Sequence, residues 1–209
     1  MRPAMILFAK APVAGRVKTR LAPRIGAEAA AELHRACVRD MLERLGAMGG
    51  ADLFLHTDIP TDAWQDVPVA RKLQHSGDLA LKMVHALEES LAEGRPQAVI
   101  VGSDAPTLPR AHVERLLASR ADVVFGPAED GGYYAIGCRR IHREMFRGVE
   151  WSGAETLAQS ERAAQACGLR VERGPGWWDV DAPADLDRLM AAPDLPRFTA
   201  AWRERFYPC

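Results

Sequence analysis

Three short stretches hold most of the side chains in this sequence that are able to do chemistry. The first, Lys10-Ala-Pro-Val-Ala-Gly-Arg-Val-Lys-Thr-Arg20, sets Lys10, Arg16, Lys18 and Arg20 within eleven residues, with Gly15 among them. Cations on a loop framed by Gly and Pro suit a polyphosphate, whose anionic oxygens share ammonium, guanidinium and backbone N–H donors. The Gly-Lys-Ser/Thr signature of a Walker loop is absent. The second stretch, Val99-Ile-Val-Gly-Ser-Asp-Ala-Pro106, is an apolar run that stops at Asp104. The third, Trp177-Trp-Asp-Val-Asp-Ala-Pro-Ala-Asp-Leu186, contributes Asp179 and Asp181. A hard cation such as Mg2+ or Mn2+ takes one or two protein carboxylates and completes its shell with phosphate oxygens and water. Asp104 with Asp181 meets that need. Asp179 and Asp181 alternate as in a strand, so only one of the two faces such an ion, and the sequence leaves open which. Each aspartate also has an ordinary use. Asp104 is placed to cap a helix starting near Pro109, and Asp181 to cap the helix that Pro183 opens.

A fourth stretch, Gly126-Pro-Ala-Glu-Asp-Gly-Gly-Tyr-Tyr134, brings Glu129 and Asp130 to a strand end. Asp130 is the candidate general base, and Gly131-Gly132 the tight turn that exposes backbone to an acceptor; the alternative is a hairpin whose acidic residues are only turn formers. Tyr133 adds a stacking and hydrogen-bonding surface, and Trp151 in Glu150-Trp-Ser-Gly-Ala-Glu155 is a candidate to line an acceptor pocket. Ser152 and Glu155 also have the spacing of a capping box. Gln74 and Gly77, in Gln74-His-Ser-Gly-Asp78, are candidate contacts to a nucleotide, although a turn and helix cap explain that segment equally well. The six histidines show no ligand spacing and are expected on helix surfaces or strand ends. No Gly-x-Ser-x-Gly or Cys/His nucleophile arrangement is present, which leaves covalent hydrolase chemistry without support.

Alternating elements must position these residues. Strands are expected at 4–9, 52–56, 98–101, 122–126, 133–138 and 169–172, from apolar runs bounded by turn residues. Helices are expected at 27–47, 78–92, 110–119, 154–166 and 183–191, with Gly77-Asp78 starting the second. Segment 57–68 reads as a loop, and the tail from Pro193 as a docked segment carrying Trp202, Phe206 and Tyr207. The alternation implies an α/β fold: one domain over residues 1–209, built on a mostly parallel, doubly wound sheet. In such a sheet ligands bind beyond the carboxyl ends of the strands, where the basic loop and Asp104 fall.

The 209 residues are 48% apolar and carry a formal net charge of −1. No global basic field exists to hold nucleic acid or an anionic membrane, so any phosphate site must be local. The apolar runs are far short of a membrane span, and Lys10 ends the first of them too early for a secretory signal. Cys37, Cys138, Cys167 and Cys209 lack paired spacing, as expected for reduced thiols in a cytoplasm.

In this order the motifs resemble the GT-A-type nucleotide-diphospho-sugar transferase superfamily. They are similar in particular to a bacterial glycosyltransferase-like family associated with radical-SAM genes, DUF2064. The resemblance rests on Phe8-Ala-Lys-Ala-Pro, Gly15-Arg-Val-Lys-Thr-Arg-Leu, Gly102-Ser-Asp-Ala-Pro, Gly126-Pro-Ala-Glu-Asp-Gly-Gly-Tyr-Tyr and Trp178-Asp-Val-Asp-Ala-Pro-Ala-Asp-Leu, and covers the chain from Met5 to about Leu189. Lys-Thr-Arg-Leu also resembles 2-phospholactate guanylyltransferases, and Asp-Ala-Pro the Asp-x-Pro of molybdenum-cofactor guanylyltransferases. The resemblance implies Asp104 and Asp181 as metal ligands and Lys18 as the phosphate-contacting catalytic lysine. It also implies a Mg2+-dependent (or Mn2+-dependent) transferase with a nucleotide-activated donor and a small-molecule acceptor. Glycosyl transfer from an NDP-sugar is the first expectation. Nucleotidyl transfer with release of pyrophosphate is the alternative, since four loop cations also suit a triphosphate, and a non-catalytic nucleotide-binding module is a third. The first loop lacks the Gly-x-Gly of many sugar nucleotidyltransferases, and oligomeric state is left open.

Overall fold

A computed structural model describes residues 1–207, and Cys209 lies outside them. Its centre is a seven-stranded sheet in the order β3-β2-β1-β4-β6-β5-β7. The middle strands, β1 (Ala4–Ala9) and β4 (Ala98–Gly102), pair in parallel. Met5, Leu7, Val99 and Val101 enter one core, whereas Ile6, Phe8, Ala98 and Ile100 enter the other. Burial on both faces is why these strands read as near-continuous apolar runs. β2 (Asp52–Thr57) and β3 (Ala70–Leu73) continue the sheet in parallel beyond β1. On the far side β6 (Tyr133–Cys138) runs antiparallel to both β4 and β5 (Val123–Pro127), and β7 (Val171–Arg173) closes the edge parallel to β5. The sheet is therefore mostly parallel and doubly wound, as its sequence pattern implies.

Helices α2 (Ala27–Gly46) and α4 (Arg110–Ala118) cover one face, α3 (Leu79–Ala92) and α5 (Thr156–Ala166) the other. Outside α2 a third core gathers Leu33 and Cys37 with Trp178, Leu186, Leu189 and Trp202, and so docks α6 (Pro183–Met190) and α7 (Arg197–Phe206). A single helical turn, α1 (Ala22–Ile25), follows the first loop. Among the described residues no helix is long and apolar enough to cross a membrane.

Several local expectations change in the folded chain. β3 has no counterpart in the sequence reading because Ala-Arg-Lys-Leu, mostly exposed at a sheet edge, carries no apolar alternation. The tail from Pro193 docks as the helix α7, with Asp40 of α2 accepting the Phe198 and Thr199 N–H groups at its first turn, both at 2.8 Å. Asp78 caps α3 as expected, accepting the Leu81 N–H at 2.9 Å. Asp181 does not cap α6. The carboxylate of Asp185 does so instead, accepting the N–H groups of Asp181 and Ala182. Nor does Asp104 cap α4, whose N-cap is Pro109, and Ser152 does not cap α5, which starts only at Thr156.

The chain runs outward from β1 to β2 and β3, then returns to β4 on the other side of β1. That reversal opens a crevice beyond the carboxyl ends of β1 and β4, where open α/β sheets bind ligands. β6, being antiparallel, begins at the same end of the sheet and adds the loop before it.

Candidate functional site

A cleft of about 650 Å³ occupies this crevice. Lys10, Arg16 and Lys18 reach it from the loop after β1, Gln74 from the end of β3, and Asp104 from the loop after β4. Tyr133 at the start of β6, Trp151 and Asp181 complete the set of anticipated residues in its wall. Gly15, Arg20, Gly77, Asp130, Gly131 and Gly132 lie outside that lining.

Lys18 and Asp104 form the centre of the site. The Lys18 ammonium, its side chain only 2% exposed, donates to Asp104 Oδ1 and, at 2.6 Å, to the Val180 carbonyl. Burial disfavours the ammonium, but the Asp104 charge outweighs it and holds the Lys18 pKa above 10.5. Burial likewise opposes ionisation of Asp104, yet the nearby Lys18, His34 and Lys10 keep its carboxyl below the usual carboxylate range. An ammonium has three donors. Two are used here, and among the described residues the third has no acceptor, which leaves it for a phosphate oxygen. Lys18 also adopts a left-handed backbone (φ 48°), a conformation that costs roughly 1 kcal/mol or more and persists where the surroundings impose it.

The other loop cations are less committed. Arg20 pairs with Asp181 at 2.8 Å, both side chains being well exposed, so the pair is readily exchanged for a ligand. Arg16 lies 3.6 Å from Asp58, and Lys10 is exposed.

Carboxylates accumulate opposite. Burial, with the charges of Asp130 and Asp104 beside it, pushes the Asp179 carboxyl up to about 6. Asp179 is thus near enough to Asp104 and Asp130 to feel their charges, while Asp181 lines the cleft and meets Arg20. Among the described residues no three His, Cys, Asp or Glu side chains form a ready-made metal cage. A concentration of acid without a cage fits a hard cation that keeps phosphate and water in its shell. Asp130 itself accepts the Gly132 N–H at 2.9 Å, the turn-forming role of an aspartate. Glu129 is turned aside onto Arg188 at 2.6 Å.

The acceptor side is built differently from its sequence reading. The turn at Gly131 (φ +91°) lies outside the cleft lining. A side chain there would strike the Ala154 backbone, so this glycine lets the loop pack on the segment before α5. Tyr133 presents its ring, with Trp151 at 6.5 Å edge-on, whereas its hydroxyl is buried beside Ser160. Ile100, Ile136 and Met83 extend that apolar wall. Ser152 has the left-handed φ of 65° at the cleft margin.

Three polar lining residues were not singled out from the sequence. Asp58 lies in a segment read only as loop, and Lys82 sits on α3 beside Met83. His34, expected with the other histidines at surfaces or strand ends, is 3% exposed in α2, and its Nδ1 stands 4.0 Å from Asp104 Oδ1. Its place among Ala30, Leu33 and Cys37 on the buried face of the helix was the available clue.

Comparison with known proteins agrees with this geometry. The family described as "Uncharacterized protein conserved in bacteria (DUF2064)" matches residues 41–153. The 2-phospho-L-lactate guanylyltransferase of Haloarcula marismortui is 30% identical over 186 residues, covering 88% of this chain and 85% of its own length. A structure from Desulfovibrio desulfuricans G20, assigned as a nucleotide-diphospho-sugar transferase, is 32% identical with a TM-score of 0.84, covering 97% of this chain and 94% of that one. The 2-C-methyl-D-erythritol 4-phosphate cytidylyltransferase of Thermus thermophilus shares the fold at 17% identity and a TM-score of 0.52, over 97% of this chain and all (100%) of its own. With a cationic loop and a carboxylate meeting at the switch point of this sheet, the chain is a nucleotide-dependent transferase and belongs to the DUF2064 family.

Proposed function

We propose that the protein is a metal-dependent nucleotidyltransferase, acting as one domain over residues 1–209. It joins the nucleotidyl group of an NTP, with GTP the first candidate, to a small phosphorylated acceptor and releases pyrophosphate. The observation that carries this reading is the meeting of Lys10, Arg16 and Lys18 with Asp104 in one cleft at the β1/β4 switch point. The guanylyltransferase names of the relatives support it and favour nucleotidyl transfer over the glycosyl transfer that motif resemblance put first. The loop chemistry agrees, because several cations suit a triphosphate better than a diphosphate.

In this reading an oxygen of the acceptor phosphate attacks the α-phosphorus, that P–O bond forms, and the bond to the departing pyrophosphate breaks. Lys10 and Arg16 bind the β- and γ-phosphates, and the free donor of Lys18 meets the charge that develops as they leave. Gln74 contacts the nucleotide from the end of β3. Tyr133 and Trp151 shape the acceptor side and exclude water. A phosphate nucleophile is already anionic, so no general base is needed, and Asp130 keeps only its turn-forming part. Asp104, with Asp181 or Asp179, would hold a Mg2+ or Mn2+, which supplies charge neutralisation at the phosphates when bound.

The test is a thermal-shift comparison of NTPs and NDP-sugars with and without Mg2+, followed by product analysis. Expected are Mg2+-dependent stabilisation by an NTP and pyrophosphate release matched by a new nucleotide conjugate of a phosphorylated acceptor. Stabilisation by an NDP-sugar with sugar transfer and nucleoside diphosphate release would establish the glycosyl reading instead. Silence with every nucleotide would leave a non-catalytic module.

A further inference from the structure

Where β1 leaves the sheet, its last polar backbone groups are taken up one after another by side chains from distant parts of the chain. Gln74 Nε2 donates to the Ala9 carbonyl at 3.3 Å. His34 Nε2 donates to the Lys10 carbonyl at 2.9 Å, and Asp58 Oδ1 accepts the Ala11 N–H at 2.7 Å. The last two groups belong to a single planar peptide unit, that between Lys10 and Ala11. It is held on its carbonyl side from α2 and on its N–H side from the loop after β2. A carbonyl only accepts, so His34 Nε2 carries a proton whatever the state of Nδ1.

Both clamping side chains are themselves fixed. His34 is 3% exposed and stands edge-on to Trp64, with ring centroids 6.4 Å apart. The Asp58 side chain is 13% exposed, and its second oxygen lies 3.6 Å from Arg16. Just beyond the clamp the loop is exposed at Ala14, Gly15 and Arg16, between the buried Ala11 and Val17. Two protected side chains aimed at one peptide of a surface loop are what pre-organisation of a binding loop requires.

We propose that His34 and Asp58 are positioning residues that clamp the Lys10–Ala11 peptide and thereby set the Lys10 ammonium and the loop behind it for the phosphates of the nucleotide. This rests on the nucleotide-transfer reading given above. With the peptide clamped, its rotation is already lost before the ligand arrives. Without the clamp, binding must supply that ordering, so affinity suffers more than turnover.

Four variants test the clamp. His34→Leu removes the donor and His34→Gln keeps one at the same reach. Asp58→Ala removes the acceptor and Asp58→Asn retains a carbonyl oxygen. Calorimetry and steady-state kinetics with Mg-GTP should show a Kd and KM raised roughly threefold to tenfold by each truncation, the range of one lost hydrogen bond, with kcat much less affected. The Gln and Asn variants should recover most of that loss. The double truncation should cost less than the sum of the two, because both act on one peptide. Hydrogen exchange of the Ala11 amide reads the clamp with no ligand present. It should be protected in the wild type and faster in both truncations, with melting temperatures confirming that each variant is folded. Wild-type Kd and KM in His34→Leu, or Ala11 exchange that neither truncation changes, would overturn the clamp. A wild-type protein that binds no nucleotide would instead overturn the transfer reading, and with it the clamp's role toward phosphates.

Discussion

Lys18 is the residue on which binding chemistry and fold are most tightly joined. Its ammonium ties the loop after β1 to Asp104 after β4 and to the Val180 carbonyl before α6. The two halves of this pair have separable roles, and isosteric changes divide them. In Asp104→Asn an oxygen remains for Lys18 while the charge is lost. We expect Mg2+-dependent nucleotide affinity to fall at least about tenfold, in the range of one charge-assisted contact, together with a lower melting temperature, because the buried Lys18 ammonium loses the charge that offsets its burial. Asp104→Ala should do the same and destabilise by about 1–3 kcal/mol more, because it also leaves a buried ammonium donor unpaired. Retention of wild-type Mg2+-dependent affinity in both variants would place the metal elsewhere. Lys18→Met keeps the side chain's length without its donors and should lower kcat/KM by about tenfold or more, which single-turnover kinetics measures.

Among the elements, α7 shows how a distant carboxylate organises a helix that has no cap of its own. Asp40 of α2 is 4% exposed and accepts the Phe198 and Thr199 N–H groups, together with the Thr199 hydroxyl at 2.6 Å. Burial raises its pKa despite these donors. Asp40→Ala leaves three donors without an acceptor, the two of Thr199 buried. Urea unfolding should report a loss of about 1–3 kcal/mol, with nucleotide affinity unchanged because α7 lies behind α2, away from the cleft. An unchanged midpoint would mean that apolar packing alone docks the helix. Periodicity in the sequence located α2, α3, α4 and α5 because each buries one stripe against the sheet. It was silent on β3 and on the helical form of α7. The first is a short polar edge strand held by pairing to β2, and the second depends on Asp40, 158 residues away along the chain.

For the whole molecule, folding and pH are linked through His56. It is 4% exposed, stacked on Phe8, and its Nδ1 has no partner among the described residues. Burial, with the Lys72 charge assisting, lowers its pKa from 6.5 to about 4. The unfolded chain therefore binds a proton near pH 6.5 that the folded chain refuses until about pH 4. Stability contributed by the neutral ring is complete above pH 6.5 and is lost as pH falls toward 4, by roughly 3 kcal/mol at most. Asp179, raised to about 6, acts in the opposite sense over much of the same window. The test is accordingly a difference: His56→Phe should be less sensitive to acid than the wild type between pH 4 and 6.5 in urea unfolding. Parallel pH profiles would show that the His56 pKa is not displaced. The sequence by itself determined the alternation of strands and helices, the basic loop after the first strand and the carboxylate after Val101, since local pattern and turn chemistry encode these. Only the tertiary structure decided how these residues are used. The chain's return from β3 to β4 sets Lys18 on Asp104, buries His34 beside them, turns Glu129 onto Arg188 and spends Gly131 on packing against Ala154. Such pairings depend on through-space contacts between residues far apart in the chain, for which no local spacing exists to read.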